Sequence, residues 1–261
     1  MIQERSGLVW ISLPNLEKAG AVHGFVGRRG GVSSGAFAGL NLGLCTEDRP
    51  QAVAENDRRF RRAFGVRTLI RARQVHGREV LVVDRAVLEE QSWWSRESDA
   101  IVTDQPNTAL AVLTADCVPI VLFDPKRRVA GIAHAGWRGT CLQVAGAAVR
   151  AMAEGFGSRA EDILAGIGPG IGPGCYPVDG PVIRAVEESF GDAAADLLRP
   201  APESRRFLDL AAANRRVLIQ AGVPEERIES ADLCTSCRED LFFSHRRDQG
   251  RTGRQINFVM L

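Results

Sequence analysis

Three residues of this chain have types suited to joint chemistry: His76, Cys117 and His134. Each sits where a short run of residues gives way to a turn. His76 follows Gln74-Val75 and precedes Gly77. Cys117 follows Asp116 after the apolar run 110–114. His134 follows the apolar run 129–133 and opens His134-Ala135-Gly136-Trp137-Arg138-Gly139. Two imidazoles and one thiolate are a donor set that zinc uses when one coordination position stays open. The same sulfur and imidazole would also serve as nucleophile and base. Spacings of 41 and 17 positions match no local zinc pattern, so only the fold can bring the three together. On the residues alone, metal centre and Cys–His dyad both stay open.

Other segments carry weaker signals. In Gly27-Arg28-Arg29-Gly30-Gly31, glycine-freed amides could cradle an anion with Arg28 as its clamp. The Gly-Lys-Ser/Thr ending of a Walker loop is missing, and a plain hairpin turn with solvated arginines is the alternative. The run Gly168-Pro169-Gly170-Ile171-Gly172-Pro173-Gly174 lacks the dinucleotide spacing and is expected to be a rigid turn. Cys234-Thr235-Ser236-Cys237 is a lone C-x-x-C with only His245 near, so its thiols are expected to be structural. Ser244-His245-Arg246-Arg247-Asp248 is a polar turn within reach of a pocket. The arginines at 58, 59, 61 and 62 fit a solvated helix face.

The elements that must position these residues are short. Strands are expected at 8–11, 22–26, 71–76, 79–84, 98–103, 109–113, 118–123, 129–133, 163–167, 228–232, 241–244 and 256–260. Helices are expected at 48–64, ending at Gly65, and at 142–153, 182–190 and 209–220. Strands and helices mix without strict alternation, which implies an α+β fold of mixed sheets with helices outside, in one domain over 1–261. The 261 residues are 45% hydrophobic and 25% charged, with a net charge of +1. That balance gives no global pull toward nucleic acid or an anionic membrane. No apolar stretch reaches the roughly 18–20 residues of a membrane span. Without a basic start and apolar core at the N-terminus, the expected location is cytoplasmic, where six cysteines stay reduced. Nothing in the pattern requires an oligomer, so a monomer is expected.

Several motifs occur in order over almost the whole chain. They are HGFVGRRGGVSSGAFAGLNLG at 23–43, RQVHG at 73–77, SDAIVTD at 98–104, TADCVPIVLFD at 114–124 and GIAHAGWRGT at 131–140. GIGPGIGPGCYPV at 166–178, DLCTSC at 232–237 and LFFSHRRDQGRTGRQ at 241–255 follow. Together they resemble the YfiH-like family, whose members are described as multicopper polyphenol oxidoreductase (laccase-domain) proteins, purine nucleoside phosphorylases or peptidoglycan editing factors.

The resemblance implies an α/β/β/α sandwich similar to the catalytic domain of a Rho-deamidating toxin. It implies zinc on His76, Cys117 and His134. It also implies phosphorolysis of adenosine, inosine, guanosine and S-methyl-5′-thioadenosine, with some adenosine deamination. Arg28, Gly30, Gly31, Asn41, Gln74 and Arg138 are then the expected substrate and phosphate contacts, with Gln74, Asp116 and Arg138 adjoining the ligands. A laccase needs several coppers held mostly by histidines, and four histidines cannot supply them, so copper is disfavoured. Cys45 is not expected to be a fourth ligand. A cysteine hydrolase or amidase acting on peptidoglycan precursors through Cys117 and His134 is the alternative. A non-catalytic protein that binds a nucleotide or cell-wall fragment is the third reading.

Overall fold

The structure, a computed structural model, describes residues 1–90 and 93–261. Its strands are β1 (Ile2–Arg5), β2 (Leu8–Ile11), β3 (Val22–Val26), β4 (Thr68–Ile70), β5 (Val80–Val83), β6 (Ala100–Thr103), β7 (Thr108–Thr114) and β8 (Val118–Asp124). There follow β9 (Val129–Ala135), β10 (Leu164–Ile167), β11 (Pro177–Val178), β12 (Leu198–Pro200), β13 (Arg206–Leu208), β14 (Ile228–Ser230) and β15 (Gln255–Met260). They form a six-stranded sheet in the order β1-β2-β3-β15-β7-β4 and a second in the order β14-β10-β8-β9-β6-β5. A small third sheet has the order β11-β13-β12. Most pairs are antiparallel, but β4–β7, β5–β6 and β10–β14 are parallel, so both large sheets are mixed.

Hydrophobic residues divide into three clusters that define the layers. Between the large sheets lie Ile11, Phe25, Leu110 and Val112 from one and Val83, Ile101, Val121, Phe123 and Ile132 from the other. The outer face of the second sheet packs Val118, Ile120, Leu122 and Ala133 against helices Val144–Phe156, Gly180–Phe190 and Leu210–Gln220. The outer face of the first packs Leu8, Val26, Ala111 and Phe258 against Phe60 of helix Pro50–Phe64. Helix, sheet, sheet and helix therefore stack in the expected order. Strands β8 and β9 are buried along their whole length, which is why they are apolar runs rather than alternating ones.

Local chemistry sets the ends. Helix Pro50–Phe64 begins with proline at its first position and stops at Gly65 in the left-handed region (φ 69°). Asp209 caps the last long helix, Leu210–Gln220, by accepting the Ala212 amide with its side chain. The alanine-rich helix expected over 142–153 is Val144–Phe156, stopped at Gly157 rather than Gly155, and a separate short helix, Trp137–Cys141, precedes it, with Gln143 at φ 60° between them. Two expected strands are absent. Residues 71–76 give their last amides to a carboxylate instead of a ladder. In 241–244, the Phe243 amide bonds the Gln255 side chain while those of Leu241 and Phe242 turn back to Arg238. Among the described residues, no helix is long and apolar enough to cross a membrane.

This architecture fixes where chemistry can occur. The chain passes from the first sheet to the second twice, between β4 and β5 and between β7 and β8. His76 lies in the first crossing, Cys117 in the second, and His134 near the end of β9, opposite Pro119 of β8.

Candidate metal centre and cavity

The donor atoms of His76, Cys117 and His134 all lie within 4.8 Å of one another. The Cys117 sulfur is 4.0 Å from His76 Nε2, and the two imidazole rings meet edge to face at 4.9 Å. His134 is 3% exposed, Cys117 half-buried and His76 exposed, so the group opens to one side.

A fourth residue builds this arrangement. Asp99 is fully buried just before β6. Its Oδ1 lies 2.8 Å from His134 Nδ1 and accepts the His76 amide at 3.0 Å; its Oδ2 accepts the amides of Val75 at 3.1 Å and Gly77 at 2.7 Å. One carboxylate thus folds the His76 loop and holds a ring nitrogen of His134. With Asp99 ionised, that nitrogen carries a proton, which leaves the other as the one that can ligate a metal once its own proton is displaced. Burial works against charge on Asp99, but His134 and the Gly77 amide outweigh it and hold its pKa below the usual value.

The backbone around the ligands is unusual. His76 has φ 61° and Asp116 φ 87°, left-handed values that non-glycine residues avoid. Asp116 turns away from the ligands and anchors the Cys117 turn, accepting Thr235 Oγ1 at 2.6 Å and the Arg246 amide at 2.7 Å. The Gln74 amide side chain bonds both backbone groups of Leu113 at 2.8 Å, tying the His76 loop to β7. Gly136 closes the site from the third side. A Cβ there would lie 2.8 Å from the Cys117 sulfur and 3.1 Å from His76 Cδ2.

Electrostatics favour the thiolate form of Cys117 and, without a metal, the charged form of His134, whose second proton a metal would displace. Burial works against charge on Cys117, yet His134 and His76 beside it hold its pKa down at about 6. Burial also works against charge on His134, but the Cys117 thiolate and Asp99 raise its pKa to about 9. Two nitrogens and a sulfur at this spacing fit a metal that takes borderline-soft donors and keeps one position open.

The three residues stand in a cavity of about 820 Å³, also lined by Leu44, Trp93, Trp94, Tyr176 and Leu210. Arg71, Arg73, Arg138, Arg246 and Arg254 line it too, with His245. Arg71 and Arg73 pair with Asp57 and Glu97. Among the described residues, no carboxylate lies within ion-pair distance of Arg138, Arg246 or Arg254. Arg138 lies over the Trp137 ring and Arg246 over Tyr176. Burial lowers the pKa of Arg254, while Cys117 and Asp116 oppose that.

Of the residues expected from sequence, Gln74 and Arg138 line this cavity. Arg28, Gly30, Gly31 and Asn41 do not. Arg28 donates to Ala38 O and lies over Phe243; Gly30 and Gly31 are pressed against the backbone of Gly7 and Gly39. That loop is a packed turn, because its amides and guanidinium are spent on neighbouring chain. Asn41 acts at one remove: its Oδ1 accepts the amides of Gly43 and Arg254, two cavity residues. Cys45 lines the cavity outside the three-residue group. Sequence reasoning missed Asp99, although its place, a lone acid before a buried strand in SDAIVTD, matches the pattern that singled out Cys117 and His134.

Residues 22–261 match the family described as "Multi-copper polyphenol oxidoreductase laccase", and the chain belongs to that family. Among its relatives is "Purine nucleoside phosphorylase YlmD" of Geobacillus stearothermophilus, 38% identical over 98% of this chain and 95% of the relative. The crystal structure of YlmD from that organism superposes with a TM-score of 0.91 at 37% identity, covering 99% of this chain and 97% of the other. A further relative, "Adenosine deaminase RL5" from an unknown prokaryotic organism, is 35% identical over 93% of this chain and 97% of its own length. The named relatives are enzymes, and the chain is an enzyme of their family.

Proposed function

We propose that this protein is a zinc-dependent purine nucleoside phosphorylase. It acts on adenosine, inosine, guanosine and S-methyl-5′-thioadenosine, with a secondary adenosine deaminase activity, as a single-domain cytosolic monomer. The observation that carries this reading is the meeting of His76, Cys117 and His134 in a cavity with three guanidinia free of carboxylate partners. The names of the relatives support purine nucleosides as the substrate class, with adenosine among them.

Zinc held by His76, Cys117 and His134 would supply a Lewis-acid centre with an open position. Asp99 keeps the proton on His134 Nδ1 and so presents the other nitrogen as a donor. Arg138, Arg246 and Arg254 bind and orient phosphate by charge-assisted hydrogen bonds. Trp93, Trp94 and Tyr176 offer aromatic faces to a purine. In phosphorolysis a phosphate oxygen bonds to ribose C1′ as the C1′–N bond breaks with its electron pair on the purine. The anion-holding role first expected of the Arg28 loop passes to the cavity arginines.

A second reading rests on one observation. Cys117, His134 and Asp99 also form a nucleophile, base and orienting carboxylate, the order a cysteine hydrolase uses. Incubation with adenosine and phosphate, followed by chromatography, decides between them. Phosphorolysis predicts adenine and ribose 1-phosphate, lost on chelation, restored by zinc and abolished in Cys117→Ala. A chelator-insensitive protein without phosphorolysis, inactivated by iodoacetamide, would establish the hydrolase reading.

A further inference from the structure

A second group of donors lies outside the cavity lining. The sulfurs of Cys175, Cys234 and Cys237 all lie within 4.8 Å of one another, and those of Cys175 and Cys237 are 3.3 Å apart. They come from the two segments that sequence reasoning assigned to a rigid turn and to structural thiols. The structure joins those segments: Gly170 bridges Cys234 as a parallel pair, and the Thr235 amide bonds Gly170 O at 2.9 Å. Glycine at 172 is required for the approach. A Cβ there would lie 3.1 Å from Cys234 Cβ and 3.2 Å from its sulfur.

We propose that Cys175, Cys234 and Cys237 form a second metal site, separate from the histidine-containing one, for a thiophilic closed-shell ion, zinc(II) or copper(I). Three observations carry it. First, metal–sulfur bonds of about 2.3 Å at tetrahedral angles put sulfurs about 3.8 Å apart, within the 4.8 Å limit that contains all three sulfurs here and about half an ångström beyond the 3.3 Å between Cys175 and Cys237. Second, the Gly172 amide donates to the Cys234 sulfur at 3.1 Å, the kind of N–H···S bond that supports a ligating thiolate. Third, a disulfide would use two of the three sulfurs and leave the other without a role.

A bound ion replaces the thiol protons, which pass to solvent. It would clamp the two segments whose neighbours Ile171, Tyr176 and His245 line the cavity. Thr235 extends the clamp to Asp116, beside Cys117. The site is therefore a staple behind the cavity wall, independent of the reaction proposed there.

Metal analysis of protein purified under reducing conditions tests this. The double variant His76→Ala/Cys117→Ala should retain one equivalent of metal per chain, and adding Cys234→Ser should remove it. Cobalt(II) in the double variant should show thiolate charge-transfer absorption that the triple variant lacks. In the native protein, a chelator should expose four thiols to a thiol reagent, Cys117 and the three proposed here, against one if only the first site holds metal. Competition with a copper(I)-selective and a zinc-selective chelator separates the two ions. A metal-free double variant with native circular dichroism would overturn the proposal. So would a Cys175–Cys237 disulfide in the fresh protein, or a chelator that exposes no thiol beyond Cys117. Should the variants misfold, the thiol titration of the native protein decides.

Discussion

Replacing Asp99 by asparagine probes the centre most directly, because shape is kept while charge and one acceptor are lost. If the new amide nitrogen takes the place of Oδ2, it faces the amide protons of Val75 and Gly77, and two donors lose their partner. If it takes the place of Oδ1, it faces the His76 amide and His134 Nδ1. His134 then relieves the clash only by moving its proton to the nitrogen that faces Cys117. A hydrogen bond to a charged group contributes about 1.5–3 kcal/mol. The first arrangement therefore costs about 3–6 kcal/mol, and the second about half that with a ligand nitrogen blocked. Changes to groups that orient metal ligands typically weaken affinity about 10–100-fold. Asp99→Asn should lower zinc affinity by that factor in a competition titration and lower the melting temperature, with phosphorolysis falling at limiting zinc. Affinity within twofold of the parent, with an unchanged melt, would show that Asp99 neither folds the His76 loop nor sets the His134 proton.

Gly136→Ala has an acceptable backbone (φ −76°), so its effect is steric: a methyl crowding Cys117 and His76 should cost about 1–3 kcal/mol and displace the metal, read by metal analysis beside circular dichroism. In metal-free protein, iodoacetamide should alkylate Cys117 with a midpoint near pH 6 rather than near the ordinary 9.0. The depressed Cys117 pKa gives stability that is lost as pH falls through about 6, and the raised His134 pKa gives stability that is lost as pH rises through about 9. The two trends oppose each other, Cys117 losing stability from the ordinary 9.0 downward and His134 from 6.5 upward, so melting of the metal-free protein should stay nearly level from about pH 6.5 to 9; a steep slope across that window would contradict the ion pair. Phe123→Ala should destabilise by about 3–5 kcal/mol in denaturant titration, because its ring fills the layer between the sheets.

The sandwich was legible where burial is total. Residues 110–114, 118–123 and 129–133 are unbroken apolar runs, and the structure makes each a central strand. Legibility failed where backbone bonds go to side chains. The 71–76 and 241–244 segments look like strands, but the Asp99 carboxylate and the Gln255 amide take their hydrogen bonds. The short outer strand Ile2–Arg5 is nearly all exposed and carries no apolar alternation to announce it. At the site, His76, Cys117 and His134 were visible because each interrupts an apolar or turn pattern. The cavity arginines were not, since 138, 246 and 254 are distant in sequence and only the crossing of the chain between sheets unites them. The Arg28 loop misled because its composition suits an anion, while its packing against Gly7 and Gly39 leaves no room for one.

The two passages between sheets impose an order of assembly. Neither sheet alone holds the complete trio: the Cys117 turn starts on β7 of one sheet and ends on β8 of the other. A growing chain therefore has nothing to capture an ion until β9 is complete and both halves of the sandwich have closed on each other. An ion held there would latch that rim, and its removal should loosen the rim before any other part, seen as early amide exchange at Val75, His76 and Gly77.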